Sequence, residues 1–219
     1  MLSSKISSKI SNRPKSLSGR AYKKFVPAII IALAMFFASN ISSKAQCNPC
    51  ASGFTPKSFQ YTLEGTSCTI TVNYCTDCAP IGHTSVRLCD IIIPYGSCNG
   101  IQINSDFWEE IRRATLIHNV ENCDLGIPPC PHNRRQMDLF QGDCKKLVYD
   151  DYYETVTIEE CNQSAGTCVN YYSICWNPIT QQYEIDFNDF DVVDPGQCGP
   201  AFPYIDPLNK FLQCFTTCN

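Results

Sequence analysis

Two strand-like runs, Thr167 to Trp176 and Tyr183 to Phe187, form the clearest pattern along the chain. The first is dense in β-branched and aromatic residues, which suit a packed, pleated surface. In the second, Tyr183, Ile185 and Phe187 alternate with Glu184 and Asp186, the signature of a strand wet on one face. Between them Asn177-Pro178-Ile179-Thr180 fits a type I turn, with Asn first and Pro second. The first run is apolar on both faces, so it is expected to lie centrally with the Tyr183 strand as its more exposed partner. Cys168 and Cys175 stand seven residues apart within it and point to opposite faces. Their Cα atoms would lie roughly 23 Å apart, too far for a mutual disulfide. The same distance forbids a Cys68–Cys75 bond.

The rest of the chain continues the β pattern. Ser58 to Leu63 reads as a short strand and Glu64-Gly65-Thr66 as a turn. In Cys68 to Tyr74, Cys68, Ile70, Val72 and Tyr74 share one face, which predicts a hairpin with a one-sided core. Thr84 to Ile93 is a further strand, ended by Pro94 and Gly96. A single helix is predicted from Ser105-Asp106, with Asp106 as N-cap and Glu109 completing a capping pattern. Its apolar stripe holds Phe107, Ile111, Ala114 and His118, flanked by Trp108 and Thr115, while Glu109, Arg112 and Arg113 face out. Pro128-Pro129 forbids its continuation. Pro131 to Asp143 reads as a polar linker, followed by strands over Leu147 to Tyr153 and Glu154 to Cys161. The last of these, turned by Asn162 to Gly166, is expected to complete a three-stranded meander with the Cys168 hairpin. Beyond Asp194, Pro195, Gly196, Gly199, Pro200, Pro203 and Pro207 predict an irregular surface tail held by Cys198, Cys214 and Cys218. Cys68 to Cys75 and Cys168 to Cys175 share their spacing and a Val-Asn-Tyr triplet, which leaves duplication and chance both open.

This pattern predicts a mainly β (α+β) fold: a small antiparallel, disulfide-rich, sandwich-like sheet with one α-helix and an irregular Pro/Gly-rich C-terminal tail.

Composition adds the compartment. Residues 1–45 begin with basic residues and no acid, continue into an apolar run from Phe25 to Ala38, and end Ser43-Lys44-Ala45. This is the layout of a cleaved signal peptide, with the mature chain starting at Gln46. The apolar run, broken by Pro27, is short of the roughly 20 residues a spanning helix needs, so no membrane attachment is expected after cleavage. Residues 46–219 are then a single exported domain, secreted or, in a Gram-negative source, periplasmic. Removing the segment leaves nine basic residues against 21 acidic ones, a net charge of −12. That argues against nucleic acid and anionic membranes as partners. All 16 cysteines follow residue 45, an even count at about 9% of the stretch, which reads as a disulfide framework in an exported chain.

Candidate chemistry is sparse, and no catalytic, cofactor-binding or metal-ligating residue is assigned. Cys75-Thr76-Asp77-Cys78 has redox spacing, but no helix follows to supply a dipole for the thiolate, and His83 is the lone cation nearby. Both thiols are therefore expected to pair elsewhere. Cys47/Cys50 and Cys75/Cys78 have zinc-like local spacing, but the gap between them is too long for a zinc ribbon. Glu184, Asp186, Asn188, Asp189, Asp191 and Asp194 offer oxygen ligands in the manner of a calcium site, without the EF-hand pattern. His118, on the helix's apolar stripe, reads as a core residue, and His83 and His132 complete no nucleophilic triad. Asn162-Gln163-Ser164 is a glycosylation sequon. Tyr149, Tyr152, Tyr153, Tyr171 and Tyr172 are numerous enough for a contact patch, about half of it core. The expected role is non-enzymatic, binding an unknown protein or glycan or serving structurally at the cell exterior or envelope. The alternatives are a thiol-disulfide oxidoreductase using Cys75/Cys78 and a calcium-dependent module.

Overall fold

Strand β3, Thr84–Pro94, is the trunk of the fold. The computed structural model describes residues 50–161, 166–199 and 201–218. The expected signal segment, Cys47 and the Asn162 sequon lie outside them. β1 (Thr55–Thr62) and β2 (Thr69–Thr76) form the predicted hairpin, and β2 runs antiparallel along one edge of β3. On the other edge, β3 has two different neighbours. Its first four residues pair with β4, Arg135–Gly142, and its last four with β6, Thr155–Glu160. A bulge opposite Asn73/Tyr74, where Cys89 is the extra residue, separates the two halves. Bulges bend a strand and increase its local twist, and here the sheet branches. One arm continues from β4 to β7 (Thr167–Asn177) and β8 (Gln182–Val193). The other continues from β6 to β5 (Cys144–Asp150) and β9 (Phe215–Thr216).

The mainly β reading holds, as one curled nine-stranded sheet rather than two separate ones. It is antiparallel except at β3–β4. Between those two strands the chain passes through a four-residue helix, α1 (Tyr95–Cys98), and the long helix α2 (Ser105–Cys123). A parallel pair needs such a crossover, because a tight turn can only reverse the chain. The expected single helix therefore gains a short companion.

α2 covers the core face, where Phe107, Trp108, Ile111 and Leu116 join Val72, Tyr74, Leu88, Ile91, Met137, Ile158 and Tyr172 in one cluster. Its N-cap is Asn104, whose Oδ1 accepts from the Phe107 N–H at 3.0 Å. The expected cap, Asp106, lies inside the first turn. Arg112, expected to face out, is buried: its guanidinium donates to Gln141 Oε1 and to the Thr217 carbonyl, at 3.2 and 2.8 Å. Burial lowers its affinity for its proton.

Three other expectations are corrected. The stretch read as a polar linker contains β4, with Met137, Leu139 and Gln141 buried. The meander does not form, since β6 pairs with β3 and β5 while β7 pairs with β4 and β8. The tail is irregular as expected, but it enters the core, with Ile205 and Phe215 wholly buried.

Seven disulfides are described: Cys50–Cys75, Cys68–Cys98, Cys78–Cys123, Cys130–Cys175, Cys144–Cys198, Cys161–Cys214 and Cys168–Cys218. Cys89 is disulfide-bonded as well. Cys168 and Cys175 bond different partners, as do Cys68 and Cys75, in line with the strand geometry. This is a cysteine-rich domain of an oxidising environment, and such density points to an extracellular or periplasmic setting.

Candidate functional site

The sequence-level candidates scatter. Cys75 and Cys78 are bonded to Cys50 and Cys123, so the C-x-x-C forms no internal pair. The two His/Cys/Asp/Glu groupings close enough to hold an ion among the described residues are Cys130/Cys175/Glu184 and Asp143/Cys144/Cys198. In each, the two sulfurs are bonded to one another, whereas a metal takes thiolates. The acidic run lies along β8, an extended strand that spreads residues 184–194 over about 33 Å. Glu184 and Asp186 meet Arg134 at 3.4 and 2.7 Å, and Asp189 and Asp191 accept from the N–H groups of Phe190 and Val192. These carboxylates do not converge as a calcium shell must.

The histidines also stay apart. His118 stacks on Phe59 with ring centroids 4.4 Å apart and shares a 2.8 Å hydrogen bond with the Tyr74 hydroxyl. Burial lowers its proton affinity. It sits at the half-buried margin of the helix's core-facing side. His83 is exposed and lies 3.5 Å from Asp138, and His132 is exposed elsewhere.

The tyrosine set divides. Tyr172 is wholly buried, with its hydroxyl donating to Glu109, while Tyr171 is half-buried on the same strand. Tyr149, Tyr152 and Tyr153 gather at the β5–β6 turn, where Lys210 pairs with Asp151 and lies over the Tyr149 ring. Earlier on the same strand, Lys145 is buried with its Nζ on the Cys89 carbonyl at 2.7 Å and 3.7 Å from Glu160. Nearby Asp90 accepts from Asn73, and burial pushes its carboxyl up to about 6.

An open cleft of about 520 Å³ lies where the end of α2 faces the β7–β8 hairpin. α2 stops because Asp124 takes a left-handed conformation, φ 48°, and Gly126 follows at φ 61°. The chain then runs back along β7: Trp176 N–H donates to the Pro128 carbonyl and Cys130 N–H to the Trp176 carbonyl, both at 2.9 Å. These turns line the cleft with Leu125, Gly126 and Ile127, beside Val120, Glu121 and Asp124. The facing wall is Trp176 and Tyr183, which pair directly across the hairpin. Their rings are 5.0 Å apart at 64°.

Both walls are pinned. Cys123, between Glu121 and Asp124, is bonded to Cys78, and Cys175, next to Trp176, is bonded to Cys130. Glu121 and Asp124 are exposed and are the charged groups in the lining. Sequence reasoning placed Trp176 and Tyr183 on the right strands but did not single them out as a site. The available signal was the turn at Asn177, which sets Trp176 opposite Tyr183. Nothing local indicated that the end of α2 would face them. No protein-family model, curated protein or solved structure matches the chain.

Proposed function

We propose that this is an exported, disulfide-stapled binding domain that performs no chemistry of its own and holds its ligand in the cleft between the end of α2 and the Trp176–Tyr183 pair. One observation carries the reading: each wall of the cleft stands beside a disulfide, Cys78–Cys123 on one side and Cys130–Cys175 on the other. A wall fixed before binding avoids the ordering cost of assembling a site from mobile loops. The lining joins the Trp176 and Tyr183 rings to the exposed carboxylates of Glu121 and Asp124, with Val120 and Leu125 almost fully buried behind them. The redox alternative has less support, since Cys75 and Cys78 are committed to separate partners. The basic, acid-free residues 1–24, the short apolar run and the Ala45–Gln46 boundary support the export part of this reading.

The test is a screen of glycan and peptide arrays with the mature protein and its Trp176→Ala variant. A ligand retained by the native protein and lost by the variant, at unchanged melting temperature, supports the proposal. A captured ligand that ignores Trp176→Ala refutes it, and so does an insulin-reducing activity abolished by Cys75→Ser.

A further inference from the structure

Strand β1 leaves one edge of the sheet open, and we infer that this edge docks an extended segment of a partner polypeptide as an added strand, with a basic side chain at the Tyr61 end. β1 pairs with β2 alone. Just beyond it the Leu63 N–H donates to the Cys68 carbonyl at 2.9 Å, and the register sets these two residues opposite one another. Bonded and non-bonded pairs alternate along an antiparallel ladder. Tyr61, Phe59 and Lys57 therefore bond β2, while Thr62, Gln60, Ser58 and Pro56 turn their backbone groups outward. The 2.8 Å contact between the Thr62 and Thr69 hydroxyls fits this phase, because side chains approach most closely in non-bonded pairs. Pro56, which has no N–H to offer, stands where a sheet edge tolerates proline. The open edge thus presents N–H donors at Ser58, Gln60 and Thr62, with carbonyls beside them. Among the described residues, no hydrogen bond beyond the ladder to β2 reaches the β1 backbone. β8 differs, since its Phe190 and Val192 N–H groups are taken by Asp189 and Asp191. One long edge is covered and the other is left as a template.

The faces of β1 set the chemistry of the added strand. Phe59 and Tyr61 are half-buried on the α2 side, with Phe59 stacked on His118, while Ser58, Gln60 and Thr62 are exposed. Side chains of an added strand alternate in the same way. Every second one extends the row of Phe59 and Tyr61, which favours an apolar or β-branched residue there. Charge distinguishes the ends. Glu110 Oε1 accepts from the Glu64 N–H at 2.6 Å, and among the described residues neither carboxylate is paired with a Lys, Arg or His. Burial, followed by the Glu110 and Glu64 charges, pushes the Tyr61 hydroxyl up to about 12. A Lys or Arg at that end meets uncompensated negative charge. A second copy of the chain is a poor occupant, because residues 46–219 carry a net charge of −12. No β1 residue lines the cleft, so this site stands whether or not the cleft binds.

The experiment is a fluorescence-polarisation titration of the full mature protein with labelled peptides as long as β1. The probes alternate Thr and Val and carry Lys at one end or at the other, and a matching pair carries Glu in place of Lys. A Lys peptide should bind saturably, and the order that binds tighter assigns the added strand as parallel or antiparallel; either supports the inference. Glu in place of Lys should weaken binding about fivefold or more. Methylating the backbone nitrogens of one alternate set of peptide residues should abolish binding, and methylating the other set should leave it, since an added strand pairs along one edge. Gln60→Pro removes an outward N–H without touching the bonds to β2 and should weaken binding about tenfold or more. Should that variant melt earlier, the two N-methylated peptides decide alone. Bound peptide should slow amide exchange at Ser58, Gln60 and Thr62 and leave Phe190 and Val192 unchanged. No saturable binding of either Lys peptide, equal binding of the Glu version, or indifference to both N-methylated sets overturns the inference. So does protection of β8 instead of β1, or a native dimer with the β1 amides already protected, which gives the edge to a second copy.

Discussion

At the scale of single residues, polar groups taken out of water shape this protein. Asn104 caps α2, and Asp106 sits two residues further on, inside the first turn, where it contributes through the helix dipole alone. Asn104→Ala is expected to cost roughly 0.5–2 kcal/mol, and Asp106→Ala roughly 0.3–1 kcal/mol. Urea denaturation of both variants orders them, and a larger loss at Asp106 would reinstate it as the cap. Asp90 makes a pH-dependent contribution. Its folded-state value of about 6 lies above the ordinary 3.8 because burial outweighs the Asn73 hydrogen bond and the Lys145 charge. The folded protein thus holds this proton more tightly than the unfolded chain. The stabilisation is fully present below the unfolded value and is lost as pH rises through about 6. The stability of the native protein relative to Asp90→Asn should therefore fall between pH 4 and pH 7. A difference that stays flat across that range would show that Asp90 titrates normally.

At the scale of elements, the long edge strand β8 shows how exposure is managed. An unpaired strand edge is a template for association. Here Asp189 and Asp191 accept from the N–H groups of Phe190 and Val192, each at 2.8 Å, and Arg113 donates to the Ile185 carbonyl at 3.1 Å. The acidic run so prominent in the sequence acts as cover for a backbone edge beside exposed Phe187, Phe190 and Val193. Replacing Asp189 and Asp191 together by Ala should raise the dimeric or higher fraction in sedimentation velocity. A variant as monomeric as the native protein would remove that role. β4 is the opposite case: a strand written in polar letters. Gln141 survives in the interior because its amide donates to the Thr217 carbonyl and hydroxyl, at 2.8 and 3.1 Å, and its Oε1 accepts from Arg112.

At the scale of the whole molecule, the C-terminal tail completes the core from outside. Cys144–Cys198, Cys161–Cys214 and Cys168–Cys218 tie it to β5, to the end of β6 and to β7. The last bond holds the adjacent Thr217 where its carbonyl and hydroxyl meet Arg112, Gln141 and Gly142. Replacing Cys168 and Cys218 together by Ala should cost roughly 2–5 kcal/mol, with faster amide exchange spreading along β4 as Arg112 loses its acceptor. Exchange confined to the tail would mean that the buried network stands without the disulfide.

What the amino-acid order settled alone was whatever depends on near neighbours. The alternation in Cys68 to Tyr74 and Tyr183 to Phe187, the Asn177-Pro178 turn, the apolar stripe of α2 and the seven-residue cysteine spacings each carry their meaning within a few residues. They were enough for a β-rich, disulfide-stapled class and for two pairings that could not occur. Tertiary structure decided what depends on distant partners. Arg112 is inside because Thr217, 105 residues away, supplies a carbonyl. β4 is a strand because β3 and β7 flank it. Trp176 faces the end of α2 because Cys130 and Cys175 draw the returning chain along β7. A polar residue's place depends on whether its hydrogen bonds are met in the interior, and no local window of sequence contains the group that meets them.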